Sequence, residues 1–179
     1  MPWFGMDIGG TLVKLVYFEP TDFVSEKEEN ISNSEWETLK NIQKYLTKNS
    51  TYGATGHRDT HLEMKSTRMG GRVGTLHFIR FPTSEMDSFL QLAKSKGFAS
   101  LASTVCATGG GAYKFESDFH KEVNLLLHKS DELDSLIRGL LFIEESYPSE
   151  VYYWANPTDE ERCCKVTYDF KNPYPFLVI

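Results

Sequence analysis

Phe4-Gly-Met-Asp7-Ile-Gly9-Gly10-Thr11-Leu-Val-Lys14 places two apolar, β-forming runs on either side of a Gly-Gly pair. The runs Trp3 to Ile8 and Thr11 to Phe18 predict a β-hairpin. An acid at the end of a strand, followed by a turn without Cβ atoms, brings backbone N–H groups close to an anion. Asp7 has the chemistry to hold Mg²⁺ or a metal-bound water, Thr11 to donate a hydroxyl, and Lys14 to neutralise phosphate charge. Phosphoryl transfer needs such groups, since its catalysis is mostly positioning and charge stabilisation. The same residues also suit an ordinary hairpin with a Gly-Gly turn, and residue types alone leave both readings open.

A second glycine run, Cys106-Ala-Thr108-Gly109-Gly110-Gly111-Ala112-Tyr-Lys114-Phe, follows a short apolar strand and precedes a helical stretch. A strand-to-helix junction offers free N–H groups and the positive end of a helix dipole. The Lys-Ser/Thr ending of a P-loop is missing. A flexible packing turn is the other reading, but three consecutive glycines cost backbone entropy, which favours a site of close approach. Further on, Ser130 predicts the cap of a helix with Leu133, Leu136, Ile137, Leu140 and Leu141 at helical spacing. Glu132 falls in its first turn, where a carboxylate could take the proton of a hydroxyl attacking a γ-phosphate. First-turn acids also simply complement the helix dipole, and spacing alone favours that plainer role.

The rest of the chain predicts mixed α/β architecture. Residues 19 to 33 read as a polar loop, and Ser34-x-x-Glu37 as the capping box of a helix carrying Trp36, Leu39, Ile42 and Leu46. Tyr52 to Arg58 reads as strand into turn, Leu62 to Val73 is ambiguous, and Leu76 to Phe81 is a strand ended by Pro82. Ser84-x-x-Asp87 predicts a helix cap, with Gly97 as the stop. Val151 to Ala155, Lys165 to Phe170 and Phe176 to Ile179 read as strands. Both chain ends read as cut points.

Of 179 residues, 40% are hydrophobic and 25% charged, which excludes a disordered tail or a rod. A net charge of −6 argues against a nonspecific nucleic-acid binder. No apolar run is long enough for a membrane span. Cys106, Cys163 and Cys164 form no disulfide framework. His57 and His61 have metal-like spacing without a third ligand and read as solvated. His57-Arg58-Asp59 imitates a protein-kinase triplet, but the downstream Asn and the D-F-G motif are missing. The aromatic stripes read as core.

Several segments, in order along the chain, carry a family resemblance. Phe4 to Lys14 resembles the first phosphate loop of the superfamily of acetate and sugar kinases, heat-shock chaperones and actin. More narrowly, it resembles eukaryotic-type (type II) pantothenate kinases. So do Tyr52-Gly-Ala-Thr-Gly56, Leu76-His-Phe-Ile-Arg-Phe-Pro82, Cys106 to Phe115, and His128-Lys-Ser-Asp-Glu-Leu-Asp134 with Arg138-Gly-Leu-Leu141. Asn172-Pro-Tyr-Pro-Phe-Leu-Val-Ile179 resembles the segment leading into the family's next glycine loop.

The resemblance implies an N-terminal lobe spanning 1–179. It would be the mixed-sheet first lobe of an actin-like ATPase (ribonuclease H-like) fold, with the second lobe missing. It implies ATP- and Mg²⁺-dependent phosphorylation of pantothenate to 4'-phosphopantothenate, the first step of coenzyme A biosynthesis. Glu132 matches the family's general base. Asp7, Gly9, Gly10, Thr11 and Lys14 match the first nucleotide-phosphate loop, with Asp7 at the metal. Gly109, Gly110 and Gly111 lie in a second glycine segment lining the cleft. A cytoplasmic homodimer inhibited by acyl-CoA is implied for the full-length protein, and the fragment alone is expected to be inactive. The alternatives are a non-catalytic short isoform, a pseudokinase-like regulatory protein binding nucleotide or CoA, and another sugar-type kinase of the superfamily.

Overall fold

Alternating buried and half-buried side chains make Phe4–Ile8 (β1) a strand with one face on the core. The computed structural model describes residues 4–21, 33–48, 51–52, 54–100, 104–155, 164–168 and 177. Gly9 to Thr11 turn the chain into β2 (Leu12–Pro20), antiparallel to β1 with Asp7 opposite Lys14, so the predicted hairpin is present. The strand continues through Glu19 and Pro20, two residues into the stretch read as a loop; residues 22–32 lie outside the described residues. Helix α1 (Asn33–Lys48) begins one residue before the expected cap Ser34 and buries Ile42 and Leu46.

Strands β3 (Thr51–Tyr52) and β4 (Gly56–Arg58) form a small hairpin. The ambiguous stretch resolves into β5 (Met64–Met69) and β6 (Arg72–Pro82), joined at Gly70-Gly71. Both glycines have positive φ, 55° and 80°, the backbone that a two-residue hairpin turn requires. Helix α2 (Met86–Lys96) follows a single 3₁₀ turn at Thr83–Glu85 that takes in Ser84, so the expected serine cap is not made. Gly97 ends α2 in the left-handed region, φ 71°, as expected.

β7 (Thr104–Thr108) runs parallel to β1, and β8 (Leu126–Lys129) parallel to β7. Parallel neighbours need a crossover. Here it is α3 (Gly110–Lys114), α4 (Glu116–Asp118) and a π-helical turn at Phe119–Val123. The described residues thus build an eight-stranded mixed sheet in the order β3-β4-β6-β2-β1-β7-β8, with β5 also on β6. This is the mixed α/β class expected, consistent with the first lobe of an actin-like ATPase. Ile8, Val13, Phe18, Phe119, Met86 and Ala112 fill its core.

The chain divides into two compact units, Met1–Asp131 and Glu132–Ile179, within the span expected as one lobe. The second holds α5 (Glu132–Ser146) and the antiparallel pair β9 (Tyr152–Ala155) and β10 (Cys164–Thr167). Its apolar stripe and aromatics depart from the expected core role: Leu133, Leu136, Leu140, Tyr152, Tyr153 and Trp154 are exposed. The strand expected at Phe176 to Ile179 lies outside the described residues except for Leu177. Among the described residues no helix is long and apolar enough to cross a membrane.

A buried polar cluster ties three elements of the first unit together. His77 on β6 contacts Glu19 Oε2 on β2 through Nε2 at 3.0 Å. Its Nδ1 lies 3.3 Å from Glu63 Oε2 but out of hydrogen-bonding line. Gln43 of α1 donates to Glu19 Oε1 at 2.9 Å. Burial pushes the Glu19 carboxyl upward, but hydrogen bonds from His77 and Gln43 and the charges of His77 and Arg58 outweigh it and hold it below its ordinary range. A depressed carboxylate contributes stability that is present above its unfolded-state pKa and lost as pH falls through the folded-state value. Urea midpoints measured downward from pH 7 should therefore fall more steeply below the ordinary glutamate range in wild type than in Glu19→Gln. At neutral pH the substitution should destabilise by about 1 kcal/mol, the half-buried carboxylate being partly screened. Parallel acid profiles would refute this.

Candidate phosphate-binding site

β1 ends in Asp7 and Ile8, and the hairpin register puts Lys14 directly across from Asp7. Lys14 Nζ lies 2.8 Å from Asp7 Oδ2. Lys14 is exposed and Asp7 half-buried, so the pair adds little to stability and its charges remain accessible. The Gly9 N–H donates to Leu12 O at 3.0 Å and closes the turn, leaving Gly10 and Thr11 exposed at its tip. A Cβ on Gly9 would sit 3.0 Å from Leu12 O, whereas one on Gly10 would meet nothing. Two bonds anchor the turn from the end of β6. The Thr83 hydroxyl donates to Gly9 O at 2.8 Å, and the Thr83 N–H to Thr11 O at 2.9 Å.

The second glycine run lies beside this turn because β1 and β7 are parallel neighbours, with Asp7 level with Thr108. Gly109 has φ 83°, in the left-handed region that favours glycine. A Cβ there would lie 2.7 Å from Ile8 O and 3.1 Å from Asp7 Oδ1. At Gly111 it would lie 2.2 Å from Ile8 Cγ2, while at Gly110 it would meet nothing. The triple glycine is thus divided in its work. Gly109 and Gly111 let the loop close on β1, and Gly110 leaves open space. The helix that follows, expected to begin near Ala112, starts at Gly110 and spans five residues, so few aligned peptides contribute a dipole.

The loop is also joined to the exit of β8. Thr108 Oγ1 donates to Ser130 O at 3.0 Å, and the Ser130 N–H donates to Ala107 O at 2.9 Å. Lys129 Nζ lies 2.6 Å from Glu116 Oε1 and 5.0 Å from the centroid of the exposed Tyr113 ring.

The structure therefore brings together Asp7, Gly9, Gly10, Thr11 and Lys14 on one turn and Gly109, Gly110 and Gly111 on the loop beside it. Glu132 is the first residue of α5, in the first turn as expected, and belongs to the second unit. Among the described residues no group of three or more His, Cys, Asp or Glu could hold a metal, and exposed His57 and His61 stay apart from any such group. One accessible carboxylate, Asp7, fits a Mg²⁺ that keeps most of its waters and arrives with a nucleotide, since that ion takes only one or two carboxylates. Sequence reasoning missed Thr83, whose partner Gly9 is 74 residues away, and the Thr108–Ser130 link; no local signal marks either.

Residues 3–179 match the family described as Fumble. Pantothenate kinase 1 of Arabidopsis thaliana is 29% identical over 174 residues, covering 97% of this chain and 38% of the relative. Pantothenate kinase 2 of Oryza sativa subsp. japonica is 29% identical over 188 residues, covering 97% and 18%. A protein of Mus musculus named 4'-phosphopantetheine phosphatase is 24% identical over 176 residues, covering 98% and 19%. The chain spans between 18% and 38% of the length of these relatives. With a match over almost its whole length, the chain belongs to the Fumble family, that of the pantothenate kinases.

Proposed function

We propose that the protein at its natural length transfers the γ-phosphoryl group of ATP to the terminal hydroxyl of pantothenate, the first step of coenzyme A biosynthesis. One observation carries this reading: the two glycine loops meet at the ends of adjacent parallel strands, with Gly109 packed against the Asp7 carboxylate. The turn Gly9-Gly10-Thr11 offers backbone N–H groups and the Thr11 hydroxyl to phosphate oxygens. Lys14 exchanges its contact with Asp7 for phosphate charge, which frees Asp7 for a metal-bound water. Mg²⁺, when bound with the nucleotide, supplies charge neutralisation across the transferred phosphoryl group. Gly109 to Gly111 shape the neighbouring wall, and Glu132 accepts the hydroxyl proton. The reading extends to a cytoplasmic homodimer inhibited by acyl-CoA, with residues 1–179 inactive alone.

The test is ATP-dependent phosphorylation of pantothenate by the protein at its natural length, beside Gly9→Val. The branched valine crowds Leu12 O, from which even its Cβ would lie only 3.0 Å, and the resulting shift of the turn should lower kcat/KM by about 10- to 10²-fold. Turnover that survives Gly9→Val unchanged would remove the turn from the site. A folded parent that binds nucleotide or CoA without turnover would favour the second reading, a regulatory relative without kinase activity, in line with a mouse relative that is named a phosphatase rather than a kinase. Preference for a sugar in a substrate panel would instead favour a sugar-type kinase.

A further inference from the structure

Thr83 is buried, yet both of its hydrogen bonds to the turn end on carbonyls that flank the phosphate-binding tip. A buried hydroxyl needs some partner, and any single carbonyl would satisfy it. Here the side chain takes Gly9 O and the backbone takes Thr11 O, the two ends of the same three-residue turn. The consequence follows from peptide geometry. In a trans peptide the C=O and the next N–H point in opposite directions. With Gly9 C=O held on Thr83, the N–H of Gly10 faces away from Thr83, at the exposed tip. The Gly9 N–H is already committed to Leu12 O, so the Gly10 amide is the donor whose direction this anchoring decides. The same two bonds turn partial negative charge away from the face that would meet an anion.

We propose that Thr83 is a positioning residue, which holds the Gly9–Thr11 turn with its carbonyls drawn inward and its Gly10 N–H directed at the nucleotide phosphates. This rests on the kinase reading given above. The hydroxyl acts through Gly9 and touches no substrate itself. Thr83 is buried and valine matches its size, so Thr83→Val keeps the shape and removes only the donor.

In the protein at its natural length, Thr83→Val should raise the KM for MgATP and weaken MgATP binding by calorimetry roughly three- to tenfold, as expected for one lost hydrogen bond. The KM for pantothenate should stay unchanged, and Thr83→Ser should match wild type within about twofold, since it keeps that bond. The Gly9 amide, which closes the turn on Leu12 O, should also exchange its hydrogen faster in Thr83→Val than in wild type. Where valine fails to fold by circular dichroism, Thr83→Ala, which also lacks the hydroxyl, replaces it in every arm. A folded valine or alanine variant that binds MgATP as wild type does would overturn the positioning role and leave the kinase reading intact. So would equal rises in both KM values, which mark general loosening. A wild-type protein that binds no MgATP would instead sink the kinase reading, and the phosphate-directed role of Thr83 with it.

Discussion

Glu132→Gln in the protein at its natural length is expected to lower kcat for pantothenate phosphorylation by about 10²–10⁴-fold, the usual contribution of a general base. Glutamine keeps the size of the side chain and its ability to hydrogen bond, but it cannot accept the substrate proton. A residue at the first position of α5 also has an electrostatic role, since a carboxylate there complements the N-terminal end of the helix. The two roles separate in measurement. Loss of the dipole interaction alone should cost about 0.3–1 kcal/mol and leave kcat untouched. Steady-state kinetics and thermal melts on the same preparation decide between them. An unchanged kcat beside a slightly lower Tm would return Glu132 to a purely structural part.

Gly111→Ala should destabilise the fold far more than Gly110→Ala, although the two glycines are neighbours in one loop. Its methyl group would lie 2.2 Å from Ile8 Cγ2 and 2.7 Å from Ile8 O. Ile8 is fully buried and its backbone belongs to the central strand, so neither atom can move aside freely. Overpacking of this kind costs about 1–3 kcal/mol. For a domain of this size that is a fall in Tm of about 2–12 °C. The strain would act on the residue next to Asp7, so nucleotide binding should weaken as well. Gly110→Ala is the matched control: its methyl group meets nothing, and its melt should superimpose on wild type. A flexible turn would tolerate both substitutions alike. Equal melting temperatures for the two variants would show that the loop does not close on Ile8 as described.

Much of the first unit was legible because its signals are local. Gly9-Gly10 between β-forming runs specified the β1–β2 hairpin, and Gly97 specified the end of α2. The stretch from Leu62 to Val73 was harder, because β5 is largely exposed and lacks a clean alternation of apolar residues. Its Gly70-Gly71 pair was the available signal, with both glycines in the left-handed backbone of a hairpin turn. The length of β2 was misjudged for a related reason. Glu19 is polar, yet it lies within the strand because His77 and Gln43 satisfy its carboxylate there. Polarity at a single position is a poor loop signal when a distant partner can receive it. The stripe Leu133, Leu136 and Leu140 did predict the helix, but helical spacing carries no information about what covers the face.

The sequence by itself determined the mixed α/β class, the acid-turn-lysine order of Asp7 to Lys14, and the first-turn place of Glu132. Each depends on residues within a few positions of one another, where backbone sterics and strand or helix periodicity act directly. Only the tertiary structure decided that the two glycine runs lie side by side, that Gly109 and Gly111 are sites of close packing while Gly110 is open, and that Thr83 anchors the turn. Those relations depend on β1 and β7 being parallel neighbours and on β6 ending beside the hairpin. Strand order and register arise from burying the whole sheet at once, so no local stretch of sequence contains them.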